Sequence, residues 1–156
     1  MLLRTPFGER SPAISPDGRW IAYQSNESGV FEIYVRPFSE RGAAKGGKWQ
    51  VSSGGGLYPM WSRNGRELFY ETDSQQIMAA EYTAQGESFS PGKTRLWSKT
   101  RILPMTEPVL DLAPDGQRIV AAPGREGGGD GPASVHVNFL LNFFDEVRRR
   151  VPAGGA

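Results

Sequence analysis

Side chains alternate with a period of two along several short stretches of the chain, and sharp turn signals separate these stretches. In the first, "ISPDGRWIAYQS", the alternation places Ile21 and Tyr23 on one side and Trp20 on the other. This period is typical of a β-strand, because successive side chains point to opposite faces of a sheet. The preceding Asp17-Gly18 pair suits a two-residue hairpin loop, which needs positive φ at its central positions. The stretch predicts two strands joined by a tight turn, with Ile21 and Tyr23 in the core and Trp20 outside it.

This strand-turn-strand unit occurs three times. The second copy, "WSRNGRELFYET", begins at Trp61, and the third, "LAPDGQRIVAAP", begins at Leu112. The aligned turn residues Asp17, Asn64 and Asp115 are 47 and 51 residues apart. Two sets of apolar positions also align. The first set is Ile14, Trp61 and Leu112, and the second set is Ile21, Leu68 and Ile119. We interpret these as core positions of a structural repeat of propeller-blade length.

Each unit continues with further strand-like segments. A third strand is predicted at 31–38, 75–82 and 133–140, and a fourth at 48–52 and 94–98. Four antiparallel strands in a unit of this length are typical of a β-propeller blade. A β-sandwich would not explain why the same turn and core positions recur in register. We therefore predict an all-β chain with three four-stranded antiparallel blades, half of a propeller, over about 9–53, 56–99 and 107–141.

The two ends of the chain carry predictions of their own. Residues 1–5 are strand-like and would complete the third blade beside residues 133–140. Residues 142–150 suit a short C-terminal helix, because Asn142 can cap its start and three arginines suit the negative end of its dipole. The apolar side chains of this helix favour docking on the protein itself, with a membrane surface or a partner helix as the alternative.

Composition narrows the classes of partner and chemistry. The 156 residues are 38% hydrophobic and 22% charged, which indicates a globular chain. A formal net charge of +1 favours neither nucleic acid nor an anionic membrane as a partner. The absence of cysteine excludes disulfides and thiol catalysis. Because no apolar segment is long enough for a membrane span or a signal peptide, we expect no membrane insertion.

The sequence contains no complete catalytic or metal-binding motif. The segment "GAAKGGKW" is similar to a phosphate-binding loop, but Trp49 stands where Ser or Thr would hold magnesium. The single histidine, His136, has no partners for a catalytic triad or a zinc site. The carboxylates Glu71 and Asp73 lie at a strand end and are interpreted as exposed, solvated groups. We therefore expect no catalytic residue, no metal and no cofactor.

The same segments resemble a known family. WD-like, Tol-type β-propeller repeats are similar to four stretches of this chain, "SPDGRWIAYQSNESGVFEIYVRPF", "KWQVSSGGGLYPMWSRNGRELFY", "LAPDGQR" and "NFFDEVRRRVP". The most similar members are the C-terminal sensor regions of bacterial membrane-anchored serine/threonine protein kinases. The resemblance covers nearly all of residues 5–152 and implies a propeller sensor outside the cytoplasm. It does not imply phosphotransfer, because the sequence lacks the Gly-rich loop, the His-Arg-Asp segment and the Asp-Phe-Gly segment of a kinase.

Three blades are too few to close a ring, since propellers have about four to eight. We predict that a second copy completes a six-bladed ring; the alternative is a piece of a larger receptor without activity of its own. The favoured function is a non-catalytic binding or scaffold module with its ligand at a ring face or the channel mouth. The candidate ligand contacts lie at or near the innermost strands, and they are Glu9, Arg10, Tyr58, Glu107 and Asp111. A propeller hydrolase or lyase with carboxylates at the ring axis is the other candidate.

Overall fold

The computed structural model describes residues 5–39, 42–43, 46–99, 101–102, 110–116 and 118–121. Within these ranges every regular element is a β-strand, and all pairings are antiparallel, which confirms the all-β prediction. The same ranges contain no helix long and apolar enough to cross a membrane. Residues 1–4, Glu107, the predicted strand at 133–140 and the predicted helix at 142–150 lie outside the described residues.

The strands form three sheets in chain order. The first sheet contains β1 (Glu9–Ile14), β2 (Trp20–Ser25), β3 (Glu32–Ser39), β4 (Gly42–Ala43) and β5 (Trp49–Gln50), in the order β1-β2-β3-β4, with β5 also paired to β3. The second sheet contains β6 (Leu57–Trp61), β7 (Glu67–Glu71), β8 (Ile77–Gln85) and β9 (Ser88–Ser98), in that order. The described part of the third sheet is the pair β10 (Leu110–Leu112) and β11 (Ile119–Ala121). The predicted third and fourth strands of the first two units are thus confirmed.

The repeated turn is longer than the two-residue loop that the sequence predicts. The Ser15 amide donates to the Trp20 carbonyl at 2.9 Å, so four residues separate the paired strands. Within the loop, Gly18 has a φ of 70° and its amide donates to the Ser15 carbonyl at 2.8 Å. Pro16 suits this turn, because its ring fixes the φ that the second position of an ordinary β-turn requires. The second copy makes the same turn with Arg63 in that position.

A large apolar cluster joins the first sheet to the second. Its buried side chains are Trp20, Ala22, Ile33, Val35, Trp61, Leu68, Tyr70, Ala80 and Phe89. The Phe89 ring lies 5.3 Å from the Trp20 ring and 5.0 Å from the Tyr82 ring. Trp61 is in the core, as predicted, whereas the prediction for Trp20 was wrong, since only 2% of its surface is exposed. Both faces of β2 are buried, and the face that carries Trp20 and Ala22 packs on the second sheet.

A second apolar cluster joins the second sheet to the third. Its buried members are Phe69, Ile77, Ala79 and Ile102, and Leu110, Leu112 and Ile119 of the third sheet pack against them. The second sheet therefore lies between two neighbours. Ile14, a predicted core residue, is 52% exposed. It lies on the face of the first sheet turned away from the second, where its cross-strand partner Ile21 is buried.

Candidate functional site

The inner strands of the first two sheets share a backbone irregularity. We call the end of the sheets where β1 and β6 begin the bulge end, and the opposite end, which carries the repeated turns, the turn end. The strand register shifts within β1 and again within β6. Ser11 and Tyr58 occupy the equivalent positions, with φ values of 48° and 51°. Left-handed backbone costs a non-glycine residue of the order of 1–3 kcal/mol, and such residues concentrate at functional sites.

A buried amide of the first sheet holds the Tyr58 backbone in place. The Tyr58 amide donates to Oε1 of Gln24 at 3.0 Å, and the Gln24 side chain is buried. Gln24 lies on the same face of β2 as Trp20 and Ala22, which is the face that packs on the second sheet. A polar side chain of one sheet thus fixes a strained residue of the next.

The glycine-rich connection between the two sheets is fastened by a buried carboxylate. Glu32 accepts hydrogen bonds from the Gly54 amide at 2.7 Å, from the Gly55 amide at 3.0 Å and from the Ser52 hydroxyl. Gly55 has a φ of 108°, and a Cβ there would lie 2.9 Å from an Asp73 carboxylate oxygen. The φ of Gly55 therefore requires glycine, and the loop lies against the Asp73 carboxylate of the β7–β8 connection.

Glu71 is a buried carboxyl group with an altered affinity for protons. Only 6% of its surface is exposed. Burial, and then the Asp73 charge, raise its pKa from 4.5 to about 7. None of the hydrogen bonds among the described residues involves its carboxyl group. Glu71 therefore changes charge near neutral pH in a site that excludes most water.

The interpretation of Glu71 as an exposed group was wrong, although Asp73 is exposed as expected. Glu71 lies on the same face of β7 as Phe69, and that face packs toward the third sheet. The repeat contains a signal for this burial, because Glu71 aligns with Gln24 when the turns are superposed. A polar residue with a long side chain at the same place in both units indicates a specific position rather than a solvated strand end.

The structure brings three of the five candidate ligand contacts to the bulge end. Glu9 begins β1 and accepts a hydrogen bond from the Thr5 hydroxyl at 2.9 Å. The Arg10 guanidinium lies over the Phe31 ring, 5.3 Å from its centre. Tyr58 lies in the bulge of β6, and β1 contacts β6. All three residues therefore lie at the same end of the first two sheets.

The other two candidates do not join this group among the described residues. Asp111 is exposed on β10, opposite Val120, and aligns with Met60, which lies beyond Tyr58 toward the turn end. Glu107 lies outside the described residues. Sequence reasoning missed Gln24, Glu32 and Glu71, which supply the buried polar groups of the site.

The side chains at the bulge end are mostly acidic and include many hydrogen-bonding groups. Among the described residues, Glu9, Glu27, Asp73 and the buried Glu32 supply carboxylates, and Glu71 titrates near neutral pH. Arg10 and Lys48 supply cations, and the Lys48 ammonium is paired with Glu27. Within the described part of the chain, no three His, Asp or Glu side chains are grouped in a way that could hold a metal ion. No protein-family model matches the chain, and no curated protein matches it.

Proposed function

We propose that the chain is a non-catalytic β-propeller binding module, in which each sheet forms one blade. The observation that carries this proposal is the serial packing of the sheets, with the second sheet covered on both faces. In a two-sheet sandwich each sheet buries only its inner face. Serial packing through both faces is the arrangement of blades within a propeller.

The equivalent positions of the repeat support the same arrangement. Leu68 faces the preceding sheet, and its equivalent Ile21 lies on the matching face of β2. Phe69 faces the following sheet, as does its equivalent Ala22. Along the strand, one set of equivalent positions thus faces the preceding sheet, and the set one residue later faces the following sheet. This directional reuse is what a ring of blades requires.

A second copy of the chain completes the ring in this proposal. Trp61 is buried against the first sheet, whereas its equivalent Ile14 is 52% exposed. In a closed ring the side chain of Ile14 would be covered by the blade that precedes it. Because three blades do not close, two chains related by a twofold axis would supply six.

The ligand of the module binds at the bulge end. Loops from neighbouring blades meet there, and a rigid scaffold that presents loop residues is a usual way to build a binding site. Among the described residues at this end the carboxylates outnumber the cations of Arg10 and Lys48, so the site favours an amine or guanidinium ligand by charge complementarity. The partly exposed Tyr58 would contact such a cation through its ring in this proposal.

A thermal-shift screen of small fragments at pH 7 tests this function. Amines and guanidines should stabilise the protein more often than carboxylates of similar size. Tyr58→Gly, which removes the ring but suits a positive φ, should abolish the stabilisation, and Thr83→Ala on the exposed side of β8 should retain it. Fragments that stabilise all three proteins equally, or a screen in which no cation binds, would contradict the proposal.

A second candidate function, hydrolase or lyase activity, is favoured by Glu71 alone. A buried carboxyl group with a pKa of about 7 is suited to general acid–base catalysis at neutral pH. Such an enzyme needs a second reacting group or a metal ion near Glu71. Metal analysis of the purified protein separates the two candidates, since the binding module should contain no stoichiometric metal.

A further inference from the structure

The turn end carries a cavity that is separate from the bulge end. Its volume is about 410 Å³, within the range of about 300–1,000 Å³ that is usual for small-molecule sites. The lining residues come from the first turn, the second turn and β8, and they include Asp17, Arg19, Arg63, Asn64 and Tyr82. Two turns that are far apart in the sequence thus form one concave surface.

The hairpin between β8 and β9 forms one wall of this cavity. Gly86 lies in the hairpin with a φ of 56°, and its carbonyl accepts a hydrogen bond from the Arg19 guanidinium. Phe89, the second residue of β9, is buried against Trp20 of the first sheet. The hairpin is therefore fixed to the first sheet at both points, and the cavity wall is held by packing.

Several hydrogen-bond donors of the cavity have no partner among the described residues. None of the described hydrogen bonds involves the Arg63 guanidinium or the Tyr82 hydroxyl. Oδ1 of Asn64 accepts from the Ser62 hydroxyl and the Arg66 amide, which leaves its Nδ2 as a donor. Burial and then the Asp17 charge raise the pKa of Tyr82 to about 12, so its hydroxyl keeps its proton at neutral pH.

We propose that this cavity binds a small monocarboxylate with an apolar body, held by Arg63, Asn64 and Tyr82. The two arginines and Asp17 give the lining a net charge of +1, which favours an anion. Asp17 opposes a second negative charge, so a carboxylate suits the site better than a phosphate dianion. Arginine binds carboxylates through paired hydrogen bonds, and Pro16 and Ala84 supply an apolar wall for the body of the ligand.

Titration of the full chain with sodium benzoate, followed by ¹H–¹⁵N NMR, tests the proposal. The amide signals of Asn64, Gly65 and Gly86 should shift with saturation. Arg63→Gln should weaken benzoate binding by about tenfold, because it removes a charge-assisted hydrogen bond. Tyr82→Phe should weaken it less, because the ring remains.

Arg66→Gln is the matched control, since Arg66 is exposed near the same turn but is not among the cavity-lining residues. This variant should bind benzoate as the wild type does. Equal weakening in both arginine variants would mean nonspecific attraction and would overturn the proposal. It would also be overturned if benzoate caused no saturable shift at these amides, or if phenyl phosphate bound more tightly than benzoate.

Discussion

Glu71 couples the stability of the fold to pH. Its pKa is about 7 in the folded chain and 4.5 in the absence of burial. Below about pH 4.5 the group is protonated in both states and costs nothing. As the pH rises from 4.5 to 7, the unfolded chain ionises first, so the free energy of unfolding decreases. At about 1.4 kcal/mol per pKa unit, the loss reaches at most about 3.5 kcal/mol above pH 7.

The variant Glu71→Gln should remove this loss, because its amide has no charge to bury. Urea unfolding between pH 4.5 and 8 should show the variant gaining stability relative to the wild type as the pH rises. Asp73→Asn is the control, since it removes only the second cause of the raised pKa and should reduce the pH dependence without abolishing it. A constant difference between wild type and Glu71→Gln across this range would contradict the assignment.

Tyr58 tests the backbone strain at the bulge end. Its φ of 51° disfavours any residue with a Cβ by about 1 kcal/mol relative to glycine. Tyr58→Gly should therefore be more stable to urea than Tyr58→Ala, although glycine normally weakens a strand. At Thr83, which has no positive φ, the alanine variant should be the more stable one. The same order of stability at both positions would show that Tyr58 is not strained.

At the scale of elements, the hairpin of β8 and β9 holds the first and second sheets together. Phe89 is 2% exposed and packs on Trp20 and Trp49 of the first sheet. Phe89→Ala should lower the free energy of unfolding by about 3–5 kcal/mol, because it opens a cavity between the sheets. Leu96→Ala, on the same strand but 42% exposed, should change it by less than about 1 kcal/mol. Urea unfolding measures both, and equal losses would contradict this role of the hairpin.

The sequence predicts the elements better than their ends and irregularities. The period of two and the Asx-Gly turns are local signals, so they locate the strands of the first two sheets. The pattern does not predict that β9 begins at Ser88, because it predicts the fourth strand of that unit only over 94–98. It also gives no sign of the bulges, since Ser11 and Tyr58 are not residues that usually adopt a positive φ.

Burial at the candidate site depends on contacts between sheets, which no local pattern contains. Glu71 is covered because the face it shares with Phe69 packs toward the third sheet. Trp20 is buried because it lies on the face of the first sheet that packs on the second sheet, whereas the period of two predicts that this face is exposed. The placement of Glu9, Arg10 and Tyr58 at one end was predictable, because it follows from the direction of the inner strands.

At the scale of the whole molecule, Ile14 is part of the proposed interface between two chains. The residue is 52% exposed in the single chain, although its repeat equivalents pack against a neighbouring sheet. A charge placed there should disrupt closure of the ring, so Ile14→Asp should dissociate the dimer. Val30→Asp is the matched control, because Val30 is 51% exposed in the connection between β2 and β3. If both variants kept the mass of the wild type, Ile14 would not lie in the interface.

Light scattering coupled to gel filtration of the wild-type chain tests the central claim most directly. A ring of two half propellers predicts a single species with twice the 17.1 kDa mass of one chain. The mass should not change with dilution over a wide range, because closure of the proposed ring would require a stable interface at both contacts between the two chains. A single species with the mass of one chain would contradict the account.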